Sequence, residues 1–83
     1  MSPANKQMVL LVEDAPSLSL TYEAYLHTAG FDVVAVNNGE SALEFIRQFR
    51  PAAVVLDLHL PDINGLDVLR ESQNRYPQLP VIV

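Results

Sequence analysis

Apolar residues follow two rhythms along this chain: short unbroken runs, and stripes that recur every three or four positions. Met8-Val9-Leu10-Leu11-Val12 is an unbroken run ended by Glu13-Asp14, the pattern of a strand buried on both faces with acids at its carboxyl end. From Pro16, a residue suited to the first helical turn, Leu18, Tyr22, Tyr25, Leu26 and Ala29 form a helical stripe, and Gly30 follows as a stop. Phe31 to Val36 is rich in β-branched residues and bounded by Gly30 and Asn37-Asn38-Gly39, which predicts a second strand. Asn38 can cap a helix beginning near Gly39, with Ala42, Leu43, Ile46 and Phe49 as its buried stripe and Pro51 as its terminator. Ala52 to Leu56 then repeats the design of the first run and ends on Asp57. The loop Pro61-Asp62-Ile63-Asn64-Gly65 precedes a third helix, with Leu66, Val68 and Leu69 apolar, that ends before Pro77; Pro80 to Val83 starts a fourth strand.

Strands alternating with helices through short loops predict parallel strands joined by right-handed crossovers, with helices on both faces. The expected fold is therefore α/β, a doubly wound parallel sheet of about four strands and three helices. Neither a repeat nor a linker interrupts the chain, so residues 1–83 read as one domain. At 83 residues, only about 60% of the unfolded surface is hidden on folding, which predicts a marginal core.

Composition narrows the function classes. Hydrophobic residues make up 49% of the chain and charged ones 18%, which excludes a disordered tail. A formal charge of −5 without any Lys/Arg cluster leaves nothing to neutralise a nucleic-acid backbone, so no direct nucleic-acid binding is expected of this segment. The absence of Cys excludes disulfides and thiolate zinc sites and fits a reducing cytoplasm. Met1 to Gln7 is polar, and the apolar run after it is too short for a signal peptide or a membrane span. The expected location is the cytoplasm, away from the membrane.

The candidate chemistry lies at strand ends. Open parallel sheets bind ligands outside the carboxyl ends of strands, where strand order reverses. If the first and third strands flank that point, Glu13, Asp14 and Asp57 converge. Three carboxylates so placed repel one another and raise their pKa values unless a cation neutralises them. A hard divalent ion, Mg²⁺ or Mn²⁺, suits such a donor set and retains waters that a phosphate oxygen can displace. Asp14 has a plainer reading as a cap for the helix starting near Pro16. That reading weakens once two separate buried strands both end in acids.

Leu11-Val12-Glu13-Asp14, together with Val54-Val55-Leu56-Asp57-Leu58-His59-Leu60-Pro61-Asp62-Ile63-Asn64-Gly65-Leu66, closely resembles the receiver domain of two-component response regulators, the flavodoxin-like or CheY-like fold. The resemblance spans the chain, and its strongest element is Asp57 followed at +4 by Pro61 and at +8 by Gly65. It implies that Asp57 is the phosphoacceptor, that Glu13 and Asp14 hold Mg²⁺ together with Asp57, and that the backbone carbonyl of His59 supplies a further oxygen. It also implies a sensor histidine kinase or a histidine phosphotransfer protein as phosphodonor, an output domain of transcriptional type outside this chain, and no catalysis beyond the domain's own phosphorylation and dephosphorylation. Many receivers carry Asp where this chain has Glu13, so the extra methylene bears on whether that ligand reaches the metal directly or through water. Receivers also carry a Ser or Thr after the fourth strand and a Lys after the fifth, positions beyond Val83. A chain ending there is expected to expose a sheet edge and apolar faces, and to form a homodimer or element-swapped oligomer.

Other residues have plainer readings. His59 and His27 are too few for a zinc site. Leu60 to Glu71 places Asp62, Asn64, Gly65 and Glu71 at EF-hand positions, but Leu60 cannot ligate and a strand precedes the loop. Leu20 is either a lone surface leucine or part of a helix facing the phosphodonor. A haloacid dehalogenase type phosphatase would need a second acid in Asp57-Leu58-His59, which has none. A pseudo-receiver would not need all three acids.

Overall fold

The computed structural model describes residues 6–83; most of the polar lead from Met1 to Gln7 lies outside them. Its elements run β1 (Met8–Val12), α1 (Pro16–Thr28), β2 (Asp32–Val36), α2 (Gly39–Phe49), β3 (Ala53–Leu56), α3 (Gly65–Arg75) and β4 (Val81–Ile82). The four strands form one parallel sheet in the order β2-β1-β3-β4. The chain thus leaves β1 in one direction, to β2, and returns across it to β3 and β4, so the reversal of strand order falls between β1 and β3. Val9 pairs with Ala53 and Val12 with Leu56 in this central ladder, which brings the carboxyl ends of both strands level.

The alternating side chains of β1 divide the interior into two layers. Leu10 and Val12 join Val54 and Leu56 of β3 in a core with Ala42 and Ile46 of α2 and Val68 of α3. Val9 and Leu11 point to the opposite face and are also buried, where α1 packs on β1 and β2. An unbroken apolar run is what a strand covered on both faces requires.

Helix ends explain the boundaries. Gly30 adopts φ 100°, a conformation in which a β-carbon is strained, and its N–H reaches the His27 carbonyl at 3.0 Å. Asn38 caps α2 as expected, its side chain accepting from Ser41 N at 2.8 Å. At the other end of α2, Arg50 takes the left-handed conformation usually left to glycine, φ 48°. Its guanidinium stacks over Tyr76, 4.4 Å from the ring centroid. Asn64 caps α3 through Leu66 N at 2.9 Å.

The expected burial of Phe49 is corrected, and the apolar stripes of α1 and α3 are less covered than their period suggests. The stripe Leu18, Tyr22, Tyr25, Leu26 and Ala29 is not buried: Tyr25 is 73% exposed and Leu18 45%, and only Leu26 among them is half-covered. Among the described residues α1 is the sole helix on its face of the sheet, so a stripe this wide overhangs the strands with nothing beside it. Phe49 is exposed and stacks on Phe45, ring centroids 4.8 Å apart, and Phe45 is the one packed against the core. Leu66 likewise faces outward, and Ser72 takes its place in the buried stripe of α3 by bonding its hydroxyl to the Val68 carbonyl at 2.8 Å.

Candidate metal centre

Each acid owes its place to a strand end. Glu13 extends β1 by one residue, its N–H donating to the Val36 carbonyl at 3.0 Å, and Asp57 extends β3, its N–H donating to the Val12 carbonyl at 2.9 Å. These two ladder bonds draw β2, β1 and β3 together where their backbones end. Oxygens of Glu13, Asp14 and Asp57 lie within 4.8 Å of one another. In an octahedral Mg²⁺ site, with metal–oxygen bonds of about 2.1 Å, oxygens sit about 3 Å apart when adjacent and about 4.2 Å apart when opposite. The cluster therefore has nearly the span a small divalent ion needs, and its donors are all hard oxygens.

Glu13 is the most enclosed of the three at 8% exposure; Asp57 is half-buried and Asp14 exposed. Burial pushes the Glu13 carboxyl above its ordinary value, the Ala15 N–H partly opposes this, and the charges of Asp57 and Asp14 push further in the same direction. The opposing bond runs from Ala15 N to Glu13 Oε2 at 3.2 Å. Asp14 does not cap α1: Ala15 occupies the cap position and no side chain bonds there. Its carboxylate remains with the cluster.

Asp57 is oriented by its own loop, the His59 N–H donating to its Oδ1 at 3.0 Å. The His59 side chain is exposed. Open depressions flank the acids on two sides, one lined by Glu13, Asp14, Asn37 and Ser41, the other by Asp14, His59, Pro61 and Asn64. The acids thus sit on a ridge that solutes can approach from either side.

Two residues of the loop after β3, Gly65 and Asp62, make contacts that the sequence pattern did not specify. Gly65 packs against the backbone of Leu58 so closely that an added β-carbon would overlap its Cα, and Gly65 N donates to the Leu58 carbonyl at 3.2 Å. Asp62 accepts from Gly39 N at 2.8 Å and from Glu40 N at 2.9 Å, two bonds that hold its carboxyl below the usual range. A signal for Asp62 existed, since Asn38 can serve only part of the first turn of α2 and leaves N–H groups in need of an acceptor.

Known proteins resemble this chain in sequence and fold. The chain is 38% identical over 72 residues to the luminescence regulatory protein LuxO of Vibrio campbellii, covering 87% of this chain and 16% of that protein. It is 40% identical over 75 residues to the probable transcriptional regulatory protein TcrX of Mycobacterium tuberculosis, covering 90% of this chain and 32% of TcrX. This chain thus spans a third or less of the length of these relatives. Among solved structures, the signal receiver domain of a LuxO repressor protein from Vibrio parahaemolyticus superposes with a TM-score of 0.85 at 37% identity, over 92% of this chain and 58% of that one. The response regulator TrrA of Thermotoga maritima, solved in complex with Mg²⁺–BeF, gives a TM-score of 0.90 at 27% identity, over 93% and 67%. Both agree with the CheY-like fold expected from the sequence. The family model of the response regulator receiver domain matches residues 9–83, and the chain belongs to that family.

Proposed function

We propose that this chain is the phosphoacceptor part of a two-component signalling protein, with Asp57 receiving the phosphoryl group. Glu13, Asp14, Asp57 and the backbone carbonyl of His59 would hold Mg²⁺ or Mn²⁺. The observation that carries this reading is the convergence of three acids within 4.8 Å at the strand-order reversal of a receiver-family sheet.

Asp57 is suited to attack because the His59 N–H tethers Oδ1 and fixes the plane of the carboxylate. One carboxylate oxygen forms a bond to phosphorus as the bond from phosphorus to the donor breaks, giving an aspartyl phosphate, a mixed anhydride. A divalent ion, when bound, supplies neutralisation of the charge shared by acceptor and transferring group. Glu13, buried beside Asp57, holds its share of negative charge in a fixed place at small reorganisation cost. The phosphodonor is a sensor histidine kinase or histidine phosphotransfer protein in the cytoplasm. The added charge at Asp57 biases packing that an output domain, transcriptional in the manner of the regulatory relatives, would read. The domain's chemistry is limited to gaining and losing this phosphoryl group.

The direct test is incubation with acetyl phosphate and Mg²⁺. A mass gain of one phosphate in the wild-type chain, absent in Asp57→Asn and absent in EDTA, is expected. No gain under conditions in which another receiver domain responds would refute the assignment.

A further inference from the structure

Asp62 lies outside the acid cluster, yet its two bonds join elements that the cluster depends on. The first turn of α2 presents N–H groups that no residue within the helix can satisfy. Asn38 takes one, from Ser41, and Asp62 takes those of Gly39 and Glu40 from 22 and 23 positions away. A carboxylate gripping two N–H groups at a helix start makes charge-assisted bonds and meets the positive end of the helix dipole. A second contact lies beside it: Ile63 rests on Gly39, so close that a β-carbon there would overlap the isoleucine side chain.

On the Asp57 side, the loop is closed on itself by the Gly65–Leu58 approach. Residues 57–59 therefore cannot shift far without moving Asp62. On the other side, α2 follows directly from β2, whose Val36 carbonyl accepts the Glu13 N–H. The Asp57 N–H to Val12 carbonyl bond returns to β1. These bonds complete a ring running from Asp57 through its loop, Asp62, α2, β2 and Glu13 back to Asp57, around three carboxylates that repel one another.

We propose that Asp62 is a positioning residue for the metal centre. By fastening the Asp57 loop to α2, it holds the Asp57 carboxylate beside those of Glu13 and Asp14, and so sets the affinity for a divalent ion. The assignment rests on the metal-assisted reading of the acid cluster. Coupling of this kind is reciprocal, so a bound ion strengthens the Asp62 cap by the same factor that the cap strengthens ion binding.

The experiment pairs Mg²⁺ titration by calorimetry with amide hydrogen exchange at Gly39 and Glu40, in wild type, Asp62→Ala and Asp62→Asn. Removing an outer-shell support is expected to weaken Mg²⁺ binding by about tenfold in Asp62→Ala, and Asp62→Asn, which keeps one acceptor, should fall between. In wild type, saturating Mg²⁺ should slow exchange of the two amides by a similar factor and by more than it slows the amides of α3, an excess that stabilisation of the whole fold around a merely structural cap would not give. Equal Mg²⁺ affinity in a folded Asp62→Ala or Asp62→Asn chain, or wild-type amides indifferent to Mg²⁺ that binds, overturns the assignment. A wild-type chain that binds no Mg²⁺ overturns the metal reading itself, and the Asp62 role with it; the wild-type titration distinguishes the two failures, because failure of the Asp62 role alone leaves Mg²⁺ binding intact.

Discussion

Replacing Asp57 by Asn should make the metal-free chain more stable. The substitution preserves shape and keeps an oxygen at Oδ1 for the His59 N–H, so what it removes is one charge from a cluster spanning 4.8 Å at most. At that distance two unit charges repel by about 0.9 kcal/mol in water and by about 3.5 kcal/mol at an effective dielectric constant of about 20. Asp14 is exposed and belongs near the first limit; Glu13 is buried and lies between the two. Allowing for screening by salt, relief of about 1–3 kcal/mol is expected. In a domain of this size each kcal/mol moves the melting temperature by roughly 4–8 °C. Thermal and urea melts of wild type and Asp57→Asn in EDTA at neutral pH measure the difference directly. Repeating them in Mg²⁺ should reverse the order, since wild type gains a ligand-bound state that the variant holds poorly. If Asp57→Asn melts at or below wild type in EDTA, the three acids are not under mutual repulsion and the case for a cation among them fails.

Other consequences follow from neighbouring residues. Gly65→Ala would drive a methyl group into the Leu58 backbone and should cost about 1–3 kcal/mol in urea unfolding, despite the better helix propensity of alanine. Glu13 binds its proton more tightly folded than unfolded. Its protonated form therefore adds stability below the ordinary carboxylate range, and that stability is lost as pH rises through the raised folded value. Asp62, whose value is lowered, contributes above its ordinary range and loses its share only as pH falls through the lowered value. Stability profiles of Glu13→Gln and wild type in EDTA should therefore diverge above the ordinary glutamate range and nowhere below it. The overhanging Leu18, Tyr22 and Tyr25 of α1 and the exposed Ile82 of β4 should promote self-association; sedimentation showing a dilute, cooperatively melting monomer would contradict this.

Strand content and the acid-tipped ends were legible because a buried strand must be apolar throughout, so the first polar residue announces its end. Glu13 and Asp57 are that residue in β1 and β3. Asn38 and Gly30 were legible for local reasons, a cap and a left-handed turn. The failures concern what lies beside an element. Tyr22 and Tyr25 have the right period for burial, but period fixes only which residues share a face, and nothing in it says whether that face finds a partner. Phe45 and Phe49 compete for one stripe, and only the first packs against the core, with Phe49 left stacked on its outer side. The need for an acceptor at the start of α2 was legible, but not that Asp62 fills it, because Asp62 lies 23 residues beyond Gly39, a pairing that exists only once β2, β1 and β3 stand side by side.

The central ladder has a kinetic consequence. Glu13 and Asp57 are brought together by β1 pairing with β3, strands separated by a helix, a strand and a second helix. Pairings between distant segments form late and slowly, after the entropy of closing the long intervening loop has been overcome. No short stretch of chain can assemble the three acids, so until most of the sheet exists an ion meets only the adjacent pair Glu13 and Asp14. Mg²⁺ should then leave the refolding rate nearly unchanged and slow unfolding by the full extent of its stabilisation, a low-φ ligand in a chain whose nucleus forms without it.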